Sequence, residues 1–262
     1  MPRVTDTLWN SSGLAPDTGF SHGAVMIQTQ TDSIKQRADL THIDTWIFDL
    51  DNTLYPAKSE LFAQIDQRIT TFVAEFLSLD HDSARIVQKQ MFHGHGTTLN
   101  GLMKDHALDP HVFLEFVHDI DVSVLDRDPD LRQVLATLPG RRLIYTNGSV
   151  AHAARIARHL GIDDLFHGVH DIVAADFIPK PSTKAFQRFL DDHEINPQSA
   201  VFFDDIPHNL EPAHELGLTT VWIDDPSEWS RPGGMGDHIH HRAGSLKSFL
   251  LQAEWIRPMS NE

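Results

Sequence analysis

Short apolar runs separated by helix-length stretches constrain the fold of this chain more than any other feature. Trp46 to Asp49, Arg142 to Thr146, Val169 to Val173, Ala200 to Asp204 and Thr219 to Ile223 read as strands. Between the later ones lie helical patterns over Asp130 to Leu138, Val150 to Leu160, Thr183 to Asp191 and Pro207 to Leu216. The last of these stops at Gly217, where a left-handed cap fits. A strand that returns through a helix pairs in parallel with its predecessor, which a two-residue hairpin cannot arrange. The expected fold class is therefore α/β, with a doubly wound, Rossmann-like parallel sheet covered by helices on both faces. His238 to His241 reads as a further short strand, ahead of a helix at Ser245 to Ala253.

Nothing between Ser59 and Leu125 reads as a strand. Ser59 is a candidate N-cap for a helix whose stripe is Leu61, Ile65, Ile69, Phe72, Val73 and Phe76. Helical stretches follow at Ser83 to Phe92, Thr98 to His106 and Pro110 to Ile120. An insertion leaving the C-terminal edge of a strand becomes a lid over the crevice there. The expected organisation is a polar, disordered tail over residues 1–43, an α/β core over 44–57 and 126–262, and a helical cap over 58–125. Arg231 to Gly236 is expected as a surface loop.

The formal net charge is −16, which opposes binding to nucleic acid polymers, whose phosphates need cations. The chain has no cysteine, so thiolate catalysis and zinc–thiolate sites are excluded. No apolar window is long enough to span a bilayer, and a soluble cytoplasmic protein is expected.

Polar groups cluster where the strands end. Asp49 and Asp51 follow the first run, and alternation along an extended chain points them the same way. Two carboxylates over one small volume repel unless a cation or a shared proton relieves them. Thr146-Asn147-Gly148 ends the second run, Lys180 lies between Pro179 and Pro181 before a helix, and Asp204-Asp205 ends a later run, with Asn209 beyond. Phosphoryl transfer asks for these types: a carboxylate nucleophile, Mg²⁺ held by oxygen ligands, a lysine facing the phosphoryl oxygens, a hydroxyl with backbone N–H groups, and a second acid for the leaving group. Asp49, Asp51, Thr53 and Glu60 also fall at calcium-loop positions, but Leu54 stands where that loop needs glycine and Pro56 interrupts it.

The sequence Asp49-x-Asp51-x-Thr53, with Thr146, Lys180-Pro181 and Asp204-Asp205-x-x-x-Asn209, resembles the haloacid dehalogenase-like hydrolase superfamily in motif content and order. The resemblance implies Asp49 as a nucleophile forming an aspartyl-phosphate and Asp51 as general acid and base. It implies Thr146 and Lys180 as phosphoryl holders, Lys180 also pairing with Asp49. It implies Mg²⁺ on Asp49, Asp205 and the Asp51 carbonyl, with Asp204 and Asn209 as further candidates. Asp204 stands where many members carry glycine and Asn209 where many carry aspartate.

Asp51-Asn52-Thr53-Leu54-Tyr55-Pro56 and Gly96-Thr97-Thr98-Leu99-Asn100-Gly101-Leu102 are similar to the pyrimidine 5′-nucleotidase branch. That likeness implies a small phosphorylated partner such as UMP or CMP. Substrate-facing candidates are Thr53, Asn147, Gly148, Tyr55, His95, Gly96, Thr97 and Thr98. Phosphoglycolate, a sugar phosphate, or a non-catalytic phosphate-binding role are the alternatives. Phe92, Phe113 and Phe116 are expected in the cap core. His238 and His240 would share a strand face and could hold a metal, though packed imidazoles are the plainer reading.

Overall fold

The computed structural model describes residues 37–224 and 236–255. Its strands are β1 (Thr45–Phe48), β2 (Arg141–Tyr145), β3 (Gly168–His170), β4 (Ala200–Asp204), β5 (Thr219–Ile223) and β6 (His241–Ala243). They form one sheet in the order β3-β2-β1-β4-β5-β6, with every neighbouring pair parallel. This is the α/β class expected, and the strand order reverses between β1 and β4. Ligands of open parallel sheets bind in the crevice at such a reversal, beyond the carboxyl ends of the strands.

Side-chain alternation explains the layers. Trp46, Phe48, Val201 and Phe203 face one side, where Leu135 of α5 (Pro129–Thr137), Ile156 of α6 (Val150–Leu160) and Leu250 of α9 (Leu246–Gln252) cover them. Ile47, Tyr145 and Phe202 face the other, under Phe186 and Phe189 of α7 (Thr183–Asp192) and Leu210 of α8 (Pro207–Glu215). Phe48 and Phe203 stack across the reversal, with ring centroids 5.0 Å apart.

Between β1 and β2 run α1 (Leu61–Leu77), α2 (His81–His95), α3 (Thr98–His106) and α4 (Pro110–Val117). They bury a cluster of their own around Phe72, Val73, Met91, Leu102 and Phe113. Ile172, from the loop after β3, is buried in that same cluster. Glu60, in the left-handed region at φ 60°, is the N-cap of α1. Ser59 instead accepts weakly from Leu61 N–H at 3.4 Å.

Three expectations shift. Residues 37–43 belong to the fold, because Leu40 and Ile43 are buried and Leu40 N–H donates to the Glu254 carbonyl at 2.7 Å. The strand expected over Val169 to Val173 ends at His170, since Asp171 turns its carboxylate to Val150 N–H and Ala174 N–H. The last strand begins only at His241. Most of the loop expected near Arg231, and residues 1–36 of the expected tail, lie outside the described residues. Among the described residues no helix is long and apolar enough to cross a membrane.

Candidate active site

Register brings the acids together. Phe48 pairs with Phe203, so the residues that follow, Asp49 and Asp204, emerge side by side. Asp49 N–H extends the ladder by donating to the Phe203 carbonyl at 2.8 Å. Lys180 enters from the loop before α7. Its Nζ donates to Asp49 Oδ1 at 2.7 Å, to Asp204 Oδ2 at 2.7 Å and to the Tyr145 carbonyl at 3.1 Å. An ammonium has three donors, so Lys180 is saturated by protein oxygens. Asn147 fixes this loop from β2, accepting from Lys180 N–H at 2.8 Å and donating to the Lys180 carbonyl at 3.4 Å. Thr146 Oγ1 accepts from Gly148 N–H at 2.9 Å, closing the turn into α6.

Asp204 is completely buried and its oxygens are occupied by donors: Lys180, Ile206 N–H at 2.8 Å, and the Asn209 amide at 3.0 and 3.1 Å. Asn209 therefore serves Asp204 as a donor. Asp205 has a single side-chain partner, the Asn52 amide at 3.3 Å. One oxygen each from Asp49, Asp204 and Asp205 lie within 4.8 Å of one another. Three buried carboxylates share one ammonium, and the buried Asn52 Oδ1 has no partner. A hard oxygen donor set with excess negative charge fits a divalent cation such as Mg²⁺. Asp205 and Asp49 carry the oxygens least committed to protein donors. The Asp51 side chain stands outside this group.

Charge in so dry a place is expensive. Burial raises the Asp49 carboxyl to about 8, an effect that Lys180 opposes and Asp204 and Asp51 reinforce. Burial, then Asp204 and Asp49, drive Asp205 well above the usual carboxylate value. For Lys180 burial acts downward, but Asp204 and Asp49 overcome it and hold the ammonium charged. Asp51 goes the other way. Burial would raise it, yet His152 and the Tyr55 hydroxyl outweigh that and leave its carboxyl lowered.

A cleft of about 170 Å³ opens between the strand ends and the helical segment. Asp49, Asp51, Thr146, Asn147, Gly148, Lys180, Asp205 and Asn209 line its floor. Thr97, Thr98, Phe92 and Phe113 line its roof, so both phenylalanines expected only in the cap core also face the cleft. Phe116 packs in the cap core against Phe72, as expected, with its ring centroid 4.3 Å from the Arg68 guanidinium carbon. Gly96 abuts the Lys180 loop, where an added Cβ would lie 3.6 Å from Pro179 Cγ.

Other expected contacts fall elsewhere. Tyr55 and Thr53 are buried beneath the Asp51 loop and line a separate hollow, and the Tyr55 hydroxyl donates to Asp51 Oδ1 at 2.5 Å. His95 pairs with Asp105 at 3.2 Å and is not part of the cleft wall. His240 accepts from Thr220 N–H at 3.0 Å through Nδ1. Among the described residues the three acids are the one cluster of three or more metal-ligating side chains, and the histidines near β6 are not part of it.

Sequence reasoning missed His152 and His118. His152 Nε2 contacts Asp51 Oδ1 at 3.1 Å, and the two imidazoles stack with centroids 4.1 Å apart. Burial and His152 push His118 down to about 3, so it is neutral. The missed signal was positional: His152 sits in the first turn of α6, where side chains lean toward the helix N-terminus and hence toward the strand ends.

A family model of haloacid dehalogenase-like hydrolases matches residues 43–217. The chain belongs to this family. Among relatives of this hydrolase, Phosphate metabolism protein 8 of Saccharomyces cerevisiae is 30% identical over 231 residues, covering 80% of this chain and 71% of that protein. Enolase-phosphatase E1 of Xylella fastidiosa is 31% identical over 101 residues, 37% of this chain and 42% of that one. The haloacid dehalogenase-like fold also appears in a phosphatase from Thermococcus onnurineus, with TM-score 0.55 and 21% identity over 82% of this chain and all (100%) of that chain. CbbY from Rhodobacter sphaeroides, solved in complex with phosphate, gives 0.56 and 17% identity over 78% and 94% of the two chains.

Proposed function

We propose that this hydrolase is a Mg²⁺-dependent phosphomonoesterase of the 5′-nucleotidase type, acting on small phosphorylated metabolites and best on pyrimidine nucleoside 5′-monophosphates. The observation that carries the reaction class is the pairing of a lysine-clamped Asp49 with a separately held Asp51 on one cleft floor. The phosphatase names of one partial sequence match and of one protein of the same fold agree with it.

In this reading Asp49 attacks phosphorus, and the bond from phosphorus to the leaving oxygen breaks while Asp51 passes its proton to that oxygen. Water then attacks the aspartyl-phosphate, Asp51 takes one of its protons, and Asp49 is released with inorganic phosphate. The lowered Asp51 suits this second duty as a base. The first duty needs a proton, and the arriving phosphoryl dianion favours one by placing negative charge beside Asp51. Thr146 and the Gly148 turn supply the phosphoryl cradle. Lys180 keeps Asp49 aimed. Mg²⁺ on Asp49 and Asp205 would supply positive charge against the repulsion between carboxylates and phosphate. Removal of a halide needs no proton donor at the leaving atom, so the tethered Asp51 favours a phosphate ester.

The pyrimidine assignment rests on the residues shared with that branch and on the cleft roof. Phe92 and Phe113 offer apolar faces to a flat base, and Thr97 and Thr98 add polar groups. Phosphate release with Mg²⁺ should be fastest from UMP and CMP in a panel that includes phosphoglycolate and sugar phosphates. Preference for one of the latter would move the substrate and keep the reaction. Asp49→Asn should lower turnover by at least about 10³-fold, as loss of a nucleophile does elsewhere. No release from any phosphate ester would leave only a phosphate-binding role.

A further inference from the structure

Asp51 is held in an unusual way. Tyr55 and His152 both meet the same oxygen, Oδ1, at 2.5 and 3.1 Å, while Oδ2 has no such partner and the residue lines the cleft. The His152 side chain is 0% exposed and that of Asp51 is 17% exposed. His152 Nδ1 is buried with no partner, so the ring's N–H is the one on Nε2, pointing at the carboxylate. The ring itself cannot swing. His118 lies parallel on one face, with an interplanar angle of 10°, and Ser149 Oγ meets His118 Nδ1 at 3.1 Å. Arg155, one turn along α6 from His152, donates to the carbonyls of His118 and Ile120 at 2.6 and 3.1 Å. The chain leaving the helical segment is thus pinned to the helix that carries His152.

We infer that His152 is a positioning residue for proton transfer: with Tyr55 it fixes Oδ1 so that Oδ2 is presented to the leaving oxygen, and His118 from the end of the helical segment locks it there. The inference rests on Asp51 being the general acid. It concerns the aim of the carboxyl group, so its effect should scale with how much a leaving group needs a proton. An alkoxide needs one to depart, whereas p-nitrophenolate leaves without help. The value of kcat/KM reports only the steps through departure of that group, and a ratio of two such values cancels any loss of folded protein.

The experiment measures kcat/KM for an alkyl phosphate, UMP or glycerol 2-phosphate, and for p-nitrophenyl phosphate on the Mg²⁺-loaded full chain. The alkyl-to-aryl ratio should fall about tenfold or more in His152→Ala, within the range that general acids contribute. His152→Gln, whose amide N–H can take the place of Nε2–H, should recover most of the ratio. An unchanged ratio in His152→Ala would overturn the inference, and so would a Gln variant as low as the Ala variant, which marks simple packing. Asp51→Asn separates the two levels. If its ratio also stays at the wild-type value, the acid role itself fails; if its ratio collapses while the His152 variants hold, only the positioning role fails.

Discussion

Lys180 shows how strongly one residue can be determined by its surroundings. Its side chain is 1% exposed, with the ammonium between two carboxylates and a carbonyl, so removing it leaves Asp49 and Asp204 facing each other without a counter-charge. Breaking a buried pair in this way typically costs about 3–5 kcal/mol. Lys180→Met should therefore lose turnover and also shift the urea midpoint downward. The shift should be larger at alkaline pH, because protonation of the orphaned acids relieves them at low pH. An equal shift at both ends of the pH range would show that packing, not charge, dominates. The motif residues Asp49, Thr146, Lys180 and Asp205 were legible in the sequence because each sits at a strand end or a turn. The partners of Asp51 were not. Tyr55 read as a substrate contact because it follows the motif, yet its ring is buried and its hydroxyl turns back four residues. His152 carries no motif at all.

At the scale of elements, β4, β5 and α6 occupy the spans read from the sequence, since apolar runs and caps mark both ends. Histidine-rich ends were misread. His238 and His240 alternate like a strand, but His240 is held back by Thr220 and pairing starts one residue later. The packing of α2 on α3 depends on Gly101, where a Cβ would lie 2.7 Å from Met91 Cβ. Gly101→Ala should force these helices apart and cost about 1–3 kcal/mol, as overpacked sites do. Thermal unfolding measures this, and a variant as stable as the parent would show that Met91 gives way freely. Because Thr97 and Thr98 begin α3 on the cleft roof, the same change should raise KM.

For the whole molecule, the acid cluster links proton binding, cation binding and stability. Asp49 at about 8 and Asp205 well above the usual value both hold protons that an unfolded chain would release near pH 4. The folded form then binds more protons than the unfolded one, so the metal-free protein should lose stability as pH rises from about 5 to about 8. A divalent cation displaces those protons, and its affinity should climb through the same window. Melting temperatures with and without Mg²⁺ should diverge toward pH 8, and calorimetry in buffers of different ionisation enthalpy should register proton release. A Mg²⁺-induced shift independent of pH would contradict the cluster as the binding site. A short bridge outside the sheet bears on how the chain is made. The segment around Leu40 is zipped to Glu254 by paired backbone hydrogen bonds. During synthesis that early segment leaves the ribosome long before its partner exists. It must wait, undocked, until Glu254 has been made, and by then all six strands of the sheet have already been synthesised.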